Sequence, residues 1–208
     1  MGLRPVFREM GRRLAAEGYV VLVPNPFYRS KKAPVVEGAF NFGDPKSRDL
    51  LFGYRAAMEA GADRDALAYV AFLDEQRQTN RRRKMGVQGY CMGGPLAFRS
   101  AAATPTRIGA VASFHGGGLV TAKADSPHLL IPRTSATFLI AIAQNDDEKE
   151  PKAKDALKET LRAGKRRGEV EVYAANHGWC VPGSQSYDMV AAEKAWAELL
   201  KLYRTRLV

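Results

Sequence analysis

The sequence predicts an α/β fold, a mostly parallel sheet with helices on both faces, and three observations predict it. Apolar stretches of strand length, at 19–23, Met85–Tyr90, 110–114, Thr137–Ala143 and 170–174, alternate with amphipathic helical stretches, the pattern of a sheet whose strands are joined by covering helices. One of these strands runs straight into glycines and then a helix, at 87–95. Finally, 46% hydrophobic and 26% charged residues over 208 positions is ordinary globular composition, enough for one large domain spanning 1–208.

The elements follow in order. Val6, Phe7, Met10 and Leu14 mark one face of a first helix. Tyr19 to Val23 form the first apolar strand candidate. Between Pro24 and Gly61 the periodicity breaks into prolines, glycines and the aromatics Phe27, Tyr28, Phe40, Phe42, Phe52 and Tyr54. A long irregular excursion of this kind is usually a binding loop or lid. Leu67, Val70, Ala71 and Leu73 mark a second helix, and 96–103 a third that begins near Pro95. At the end, Met189, Ala192, Trp196, Leu199, Leu200, Tyr203 and Leu207 recur at three- and four-residue spacing, the stripe of a helix packed on a sheet.

Charge and cysteine content exclude several function classes. The 32 Lys and Arg against 22 Asp and Glu give +10, but Arg81, Arg82, Arg83, Lys84, Arg162, Lys165, Arg166 and Arg167 carry eight of those charges, and without them the balance is +2. Both runs fall where loops should lead into strands, and no aromatic interleaves them to stack bases. A nucleic-acid partner is therefore not expected. No apolar run reaches the ~20 residues of a membrane span, and the N-terminus has no signal-peptide order; a cytoplasmic protein without membrane attachment is expected. Two cysteines, Cys91 and Cys180, make neither a disulfide framework nor a zinc spacing. Cys180 is read as buried, with a redox-sensitive disulfide to Cys91 as the less favoured alternative.

The chemistry lies in Val87-Gln88-Gly89-Tyr90-Cys91-Met92-Gly93-Gly94-Pro95. Gly-x-Cys-x-Gly between strand and helix has the form of a nucleophile elbow with cysteine in place of serine, the glycines two before and two after leaving room for a sharp turn. A helix N-terminus favours a thiolate, and the Met92 amide is placed to meet a developing oxyanion. In the fold that uses this elbow, the chain order is nucleophile, acid, histidine. Of the three histidines, that order selects His177, which follows the last predicted strand. His115, in His115-Gly116-Gly117-Gly118, imitates an oxyanion motif but follows the elbow instead of preceding it. It is read as a glycine-rich strand exit with at most a role in the pocket wall, and His128 as structural. The acid should follow a strand between Cys91 and His177. Asp146 is the candidate and Asp147 its competitor, since spacing alone does not separate adjacent carboxylates; Asp125 is a weaker third. The acid would hold the imidazole in its working tautomer.

These residues resemble the dienelactone hydrolase family of the α/β-hydrolase fold. The likeness runs through Arg12-Arg13-Leu14-Ala15-Ala16-Glu17-Gly18-Tyr19, residues 24–29, Gly89-Tyr90-Cys91-Met92-Gly93-Gly94, Asn145-Asp146-Asp147 and Asn176-His177-Gly178. The cysteine elbow is its specific part. The resemblance implies a Cys91, Asp146, His177 triad that hydrolyses enol-lactones such as dienelactone to maleylacetate, with no metal and no organic cofactor. Two departures accompany it. The family's substrate-carboxylate arginine, four residues after the triad histidine, is here Val181, leaving Arg29 or Arg48 in the irregular excursion as other cationic contacts. The family also places strands, a second oxyanion amide and an acidic residue before the segment matching Gly2-Leu3-Arg4-Pro5, so the expected sheet lacks those N-terminal strands. The expected activity is lactone or carboxylic ester hydrolysis through a thioester, on a small-molecule substrate, by a monomer or homodimer. The alternative is a catalytically impaired small-molecule-binding protein on the same scaffold.

Overall fold

A computed structural model describes residues 2–35 and 44–208; Phe40 and Phe42 lie outside the described residues. The chain forms two compact units, Met1–Thr79 and Asn80–Val208.

In the first unit, α1 spans Pro5–Ala16. Pro5 suits the first turn, where its missing N–H has no helical partner to lose. After Glu17 the chain turns at Gly18, φ 91°, whose N–H donates to the Ala15 carbonyl at 3.0 Å. Residues 19–23 are extended but, contrary to the expectation for Tyr19 to Val23, pair with no strand among the described residues. Periodicity reports apolar extended chain, whereas a strand also needs a neighbour to take its backbone hydrogen bonds. The second correction concerns the excursion from Pro24 to Gly61. It ends at Asp44, because α2 spans Pro45–Glu75 and carries Phe52 and Tyr54. The Asp44 carboxylate accepts from the Ser47 N–H at 3.0 Å, and Pro45 follows directly, so a strong start signal outweighs the helix-weakening Gly53 and Gly61.

The second unit is a four-stranded, wholly parallel sheet in the order β1-β2-β3-β4: β1 Met85–Tyr90, β2 Ile108–Phe114, β3 Thr137–Ala143 and β4 Gly168–Tyr173. All seven residues of β2 are buried, as a central strand covered on both sides requires. At the edge, β4 exposes Glu169 and Glu171. The helix α3, Gly93–Ala103, lies on the face bearing Ser113 and Phe138: Phe98 and Phe138 have ring centroids 5.2 Å apart. The last helix, α6, Met189–Arg206, covers the opposite face, where the Tyr203 hydroxyl donates to Gln88 at 3.0 Å. Successive strand residues point to opposite faces, so these contacts place α3 and α6 on the two sides of the sheet. The final stripe holds at Leu199, Leu200 and Tyr203, but Met189 is exposed because it sits in the first turn. Two further helices that the sequence reading does not name belong to the unit: α4, Gln144–Lys149, and α5, Ala153–Ala163, whose Leu157 and Leu161 form a buried stripe. Arg162 therefore ends α5, while Arg81, Arg82, Arg83, Lys165, Arg166 and Arg167 lie in loops.

Candidate active site

Parallel strands all finish at one edge of a sheet, and open α/β sheets bind ligands outside that edge. The chain leaves β1 into Cys91, β2 into His115, β3 into Asp146 and β4 into His177.

Cys91 has φ 53°, a left-handed conformation that costs a non-glycine residue of order 1–3 kcal/mol and persists only where surroundings enforce it. Its N–H donates to the Phe114 carbonyl at 3.1 Å and its carbonyl accepts from the Gly94 N–H at 3.0 Å. A Cβ on Gly89 would run into the Gly93 carbonyl, so the first glycine of the motif is sterically required. The second is different. Gly93 faces open space, whereas a Cβ on Gly94 would meet the Ser113 hydroxyl at 2.5 Å and the Gly116 Cα at 2.9 Å. The tight approach of helix to sheet is therefore made at Gly94, and α3 starts at Gly93, two residues before Pro95.

His177 is held at three points. Its N–H donates to the Asn145 side-chain oxygen at 2.8 Å, its ring Nδ1 meets the Asp146 carboxylate at 2.6 Å, and its ring hydrogen-bonds the Cys91 thiol. The Gln144 N–H donates to the Ala175 carbonyl at 3.0 Å, lashing the exits of β3 and β4 together. Asp147 turns elsewhere, to the Lys154 ammonium at 2.6 Å. The two adjacent carboxylates thus have different partners, His177 for Asp146 and Lys154 for Asp147.

The electrostatics favour an ion pair between thiol and imidazole. Burial alone would push the Cys91 thiol up, but the His177 hydrogen bond, the charge on that ring and the Met92 N–H together outweigh it, so its pKa falls below the usual 9.0. For His177 the hydrogen bond to Cys91 is the largest influence; with that to Asp146 it overcomes desolvation and lifts the pKa from 6.5 to about 9.

The other candidates fall outside this constellation. Asp125 pairs with Arg99 at 2.7 Å, and His128 binds the Ser126 hydroxyl at 2.8 Å. Val181 is buried. Cys180 is buried, and both thiols are free. Arg29, in the first unit, forms an ion pair with the buried Asp65, one Nη donating at 2.6 Å, while the Tyr28 hydroxyl donates to the same carboxylate at 2.9 Å. Arg48 is an exposed residue in the first turns of α2. Among the described residues no group of three or more His, Cys, Asp or Glu could hold a metal ion, and no helix is long and apolar enough to cross a membrane.

At two residues the site holds more than the sequence reading assigns: it gives Asn145 no role there, and His115 at most one in the pocket wall. Asn145 positions the His177 backbone. His115 lies beside Cys91 and His177, its ring centroid 4.7 Å from that of His177 and its Nδ1 accepting from the Cys91 N–H at 3.2 Å. Both stretches are strand candidates in the sequence, but their adjacency is not: the pairing of β1 with β2 in the register Tyr90 to Phe114 sets the next residues, Cys91 and His115, side by side.

Comparison with known proteins agrees with this architecture. A Synechocystis sp. protein provisionally named a carboxymethylenebutenolidase is 26% identical over 211 residues, covering 99% of this chain and 82% of its own. Carboxymethylenebutenolidase 1 of Cupriavidus pinatubonensis is 26% identical over 203 residues, covering 97% of this chain and 80% of its own. Among solved structures, a dienelactone hydrolase-like promiscuous phosphotriesterase from metagenomic libraries superposes over 100% of this chain and 83% of its own with a TM-score of 0.77 at 23% identity, a likeness of fold. The family model for dienelactone hydrolases matches residues 1–207, and the chain belongs to the dienelactone hydrolase family, lactone and ester hydrolases built on the α/β-hydrolase fold.

Proposed function

We propose that this protein hydrolyses a lactone or carboxylic ester through a thioester on Cys91. The observation that carries the reading is the hydrogen-bonded series from the Cys91 thiol through His177 to Asp146, at one edge of the sheet. The Cys91 thiolate adds to the substrate carbonyl carbon, and the Met92 N–H stabilises the negative charge that develops on oxygen. As the carbonyl reforms, the carbon–oxygen bond to the leaving group breaks, and the alkoxide takes a proton from the His177 imidazolium. In a lactone that alcohol stays tethered to the acyl group. Neutral His177 then removes a proton from water as it adds to the thioester, and collapse returns the thiolate and releases the acid. Asp146 keeps Nδ1 of His177 protonated, presenting the other nitrogen to the thiol and to water. The chemistry uses only these side chains, and ester plus water becomes acid plus alcohol.

A small cleft of about 70 Å³ lies beside Asp146, walled by Gly116, Gly118 and Leu119 from the exit of β2, by Lys149 and Glu150, and by Leu157 of α5. Position 181 is a buried valine, so the carboxylate of a dienelactone would meet no cation there, whereas Lys149 stands in the wall of the cleft. The test is intact-mass spectrometry after brief mixing with p-nitrophenyl acetate, with nitrophenol release followed in parallel. A transient acetyl adduct with continuing release, both absent in Cys91→Ala, is expected. A folded chain that forms no adduct and releases no nitrophenol would refute hydrolysis and favour a binding-only protein.

A further inference from the structure

His115 is almost fully enclosed, 2% exposed, and left-handed at φ 42°. Two adjacent strand exits, Cys91 and His115, thus both hold a backbone conformation that neither residue type prefers. The His115 N–H is anchored on the Ala141 carbonyl at 2.8 Å. Its ring packs against His177 on one side, and Trp179 meets it edge-on with centroids 5.0 Å apart. Nδ1 accepts the Cys91 N–H, which is shared with the Phe114 carbonyl. A ring nitrogen that accepts carries no proton, so the neutral ring holds its proton on Nε2. Nε2 is buried, with no partner among the described residues.

We infer that His115 is a positioning residue for the hydrolysis proposed above: a permanently neutral imidazole, protonated on Nε2, whose Nδ1 holds the Cys91 amide and so keeps the thiol turned toward His177. The inference rests on the reading of Cys91 as the nucleophile. A second proton on His115 would abolish the acceptor and set a positive ring beside the His177 imidazolium. Burial, and then the charge on His177, push the His115 pKa down to about 3, which keeps the acceptor in place wherever the thiol works. The ionisable groups facing Cys91 are His177 and Asp146; those beside the His115 ring are His177, Cys91 and, with ring centroids 6.2 Å apart, Tyr90.

The experiment compares His115→Phe, which keeps a flat ring and removes the acceptor, with His115→Asn, whose amide oxygen can take the place of Nδ1 and which tolerates positive φ. Alkylation of Cys91 by iodoacetamide is followed by intact mass from pH 5 to 10. In His115→Phe the midpoint should move upward toward an ordinary thiol, with alkylation at pH 7 about tenfold slower and kcat for p-nitrophenyl acetate falling by about tenfold or more while KM stays within about twofold. His115→Asn should recover most of both. A profile for His115→Phe that overlays the wild type, or an equal shift in both variants, would overturn the assignment. If His115→Phe does not fold, ¹⁵N-histidine NMR of the wild-type protein decides: a proton on Nδ1, or a His115 ring that titrates between pH 5 and 9, sinks the inference. Alkylation needs no turnover, so a wild-type chain with a depressed thiol midpoint but no hydrolysis would refute the ester reading and leave the role of His115 testable.

Discussion

Cys91 and Cys180 carry the same thiol in opposite circumstances. Cys91 is exposed at a strained turn, facing an imidazole and the Met92 N–H; Cys180 is buried, and desolvation drives its pKa far above the usual value with only a weak counter-effect from Trp179. Both meet a desolvation penalty, so burial alone does not decide reactivity. What differs is whether a neighbour stabilises the anion by more than burial destabilises it. The contrast also shows why proximity of Cys180 to His177 in the sequence is uninformative, since only Gly178 and Trp179 separate the imidazole that meets Cys91 from a buried thiol.

The most damaging way to break the contrast is to remove the partner. His177→Ala should return the Cys91 alkylation midpoint toward 9 and cut p-nitrophenyl acetate turnover by about 10³-fold or more. The pair also bears on stability. A histidine whose pKa rises on folding contributes stability that is complete below its unfolded value and lost as pH climbs through the folded one. Taken alone, His177, at 6.5 unfolded and about 9 folded, would lose that contribution between those two values, but the depressed Cys91 thiol contributes stability that grows as pH rises toward 9, so the two oppose each other and the wild-type stability to denaturant should change little across this window. Asp146→Asn comes next, with kcat down by roughly 10²–10⁴, while Asp147→Asn, which gives up the pair with Lys154, should change kcat by less than about twofold. An equal loss in both would assign the acid wrongly.

Much of this was legible before any coordinates. Strands β1 and β3 have the boundaries the sequence implied, β3 because a buried parallel strand leaves a nearly unbroken apolar stretch and β1 because it runs directly into the glycines of the elbow, which combines strand, turn and helix in one short motif. What was not legible needed partners remote in sequence. Residues 19–23 have strand composition without a ladder, the start of α2 lay in three residues, Asp44-Pro45 and Ser47, ahead of two misleading glycines, and α4 is too short to show a stripe. The choice of Asp146 over Asp147 depended on side-chain direction, and the place of His115 on strand register.

Smaller effects sharpen the role of backbone geometry. Gly94→Ala forces a Cβ against Ser113 and Gly116 and should destabilise by about 1–3 kcal/mol in urea unfolding, with slower Cys91 alkylation as the elbow shifts. Gly93→Ala, which meets open space, should stay within about 0.5 kcal/mol. If the two behave alike, the approach of α3 to β2 does not set the thiol.

The all-parallel sheet has a consequence for divergence. Cys91, His115, Asp146 and His177 stand on the first few residues after four different strands, so the scaffold holds these four side chains, while the longer stretches beyond them, 117–126 and 182–187, are loops, the first anchored by the buried Leu119 and Ser126. Recognition and reactivity are thereby separable heritable traits: a lineage can exchange what enters the cleft without rebuilding the thiol, and a graft of 117–126 from a relative should alter substrate preference while leaving the Cys91 alkylation profile where it was.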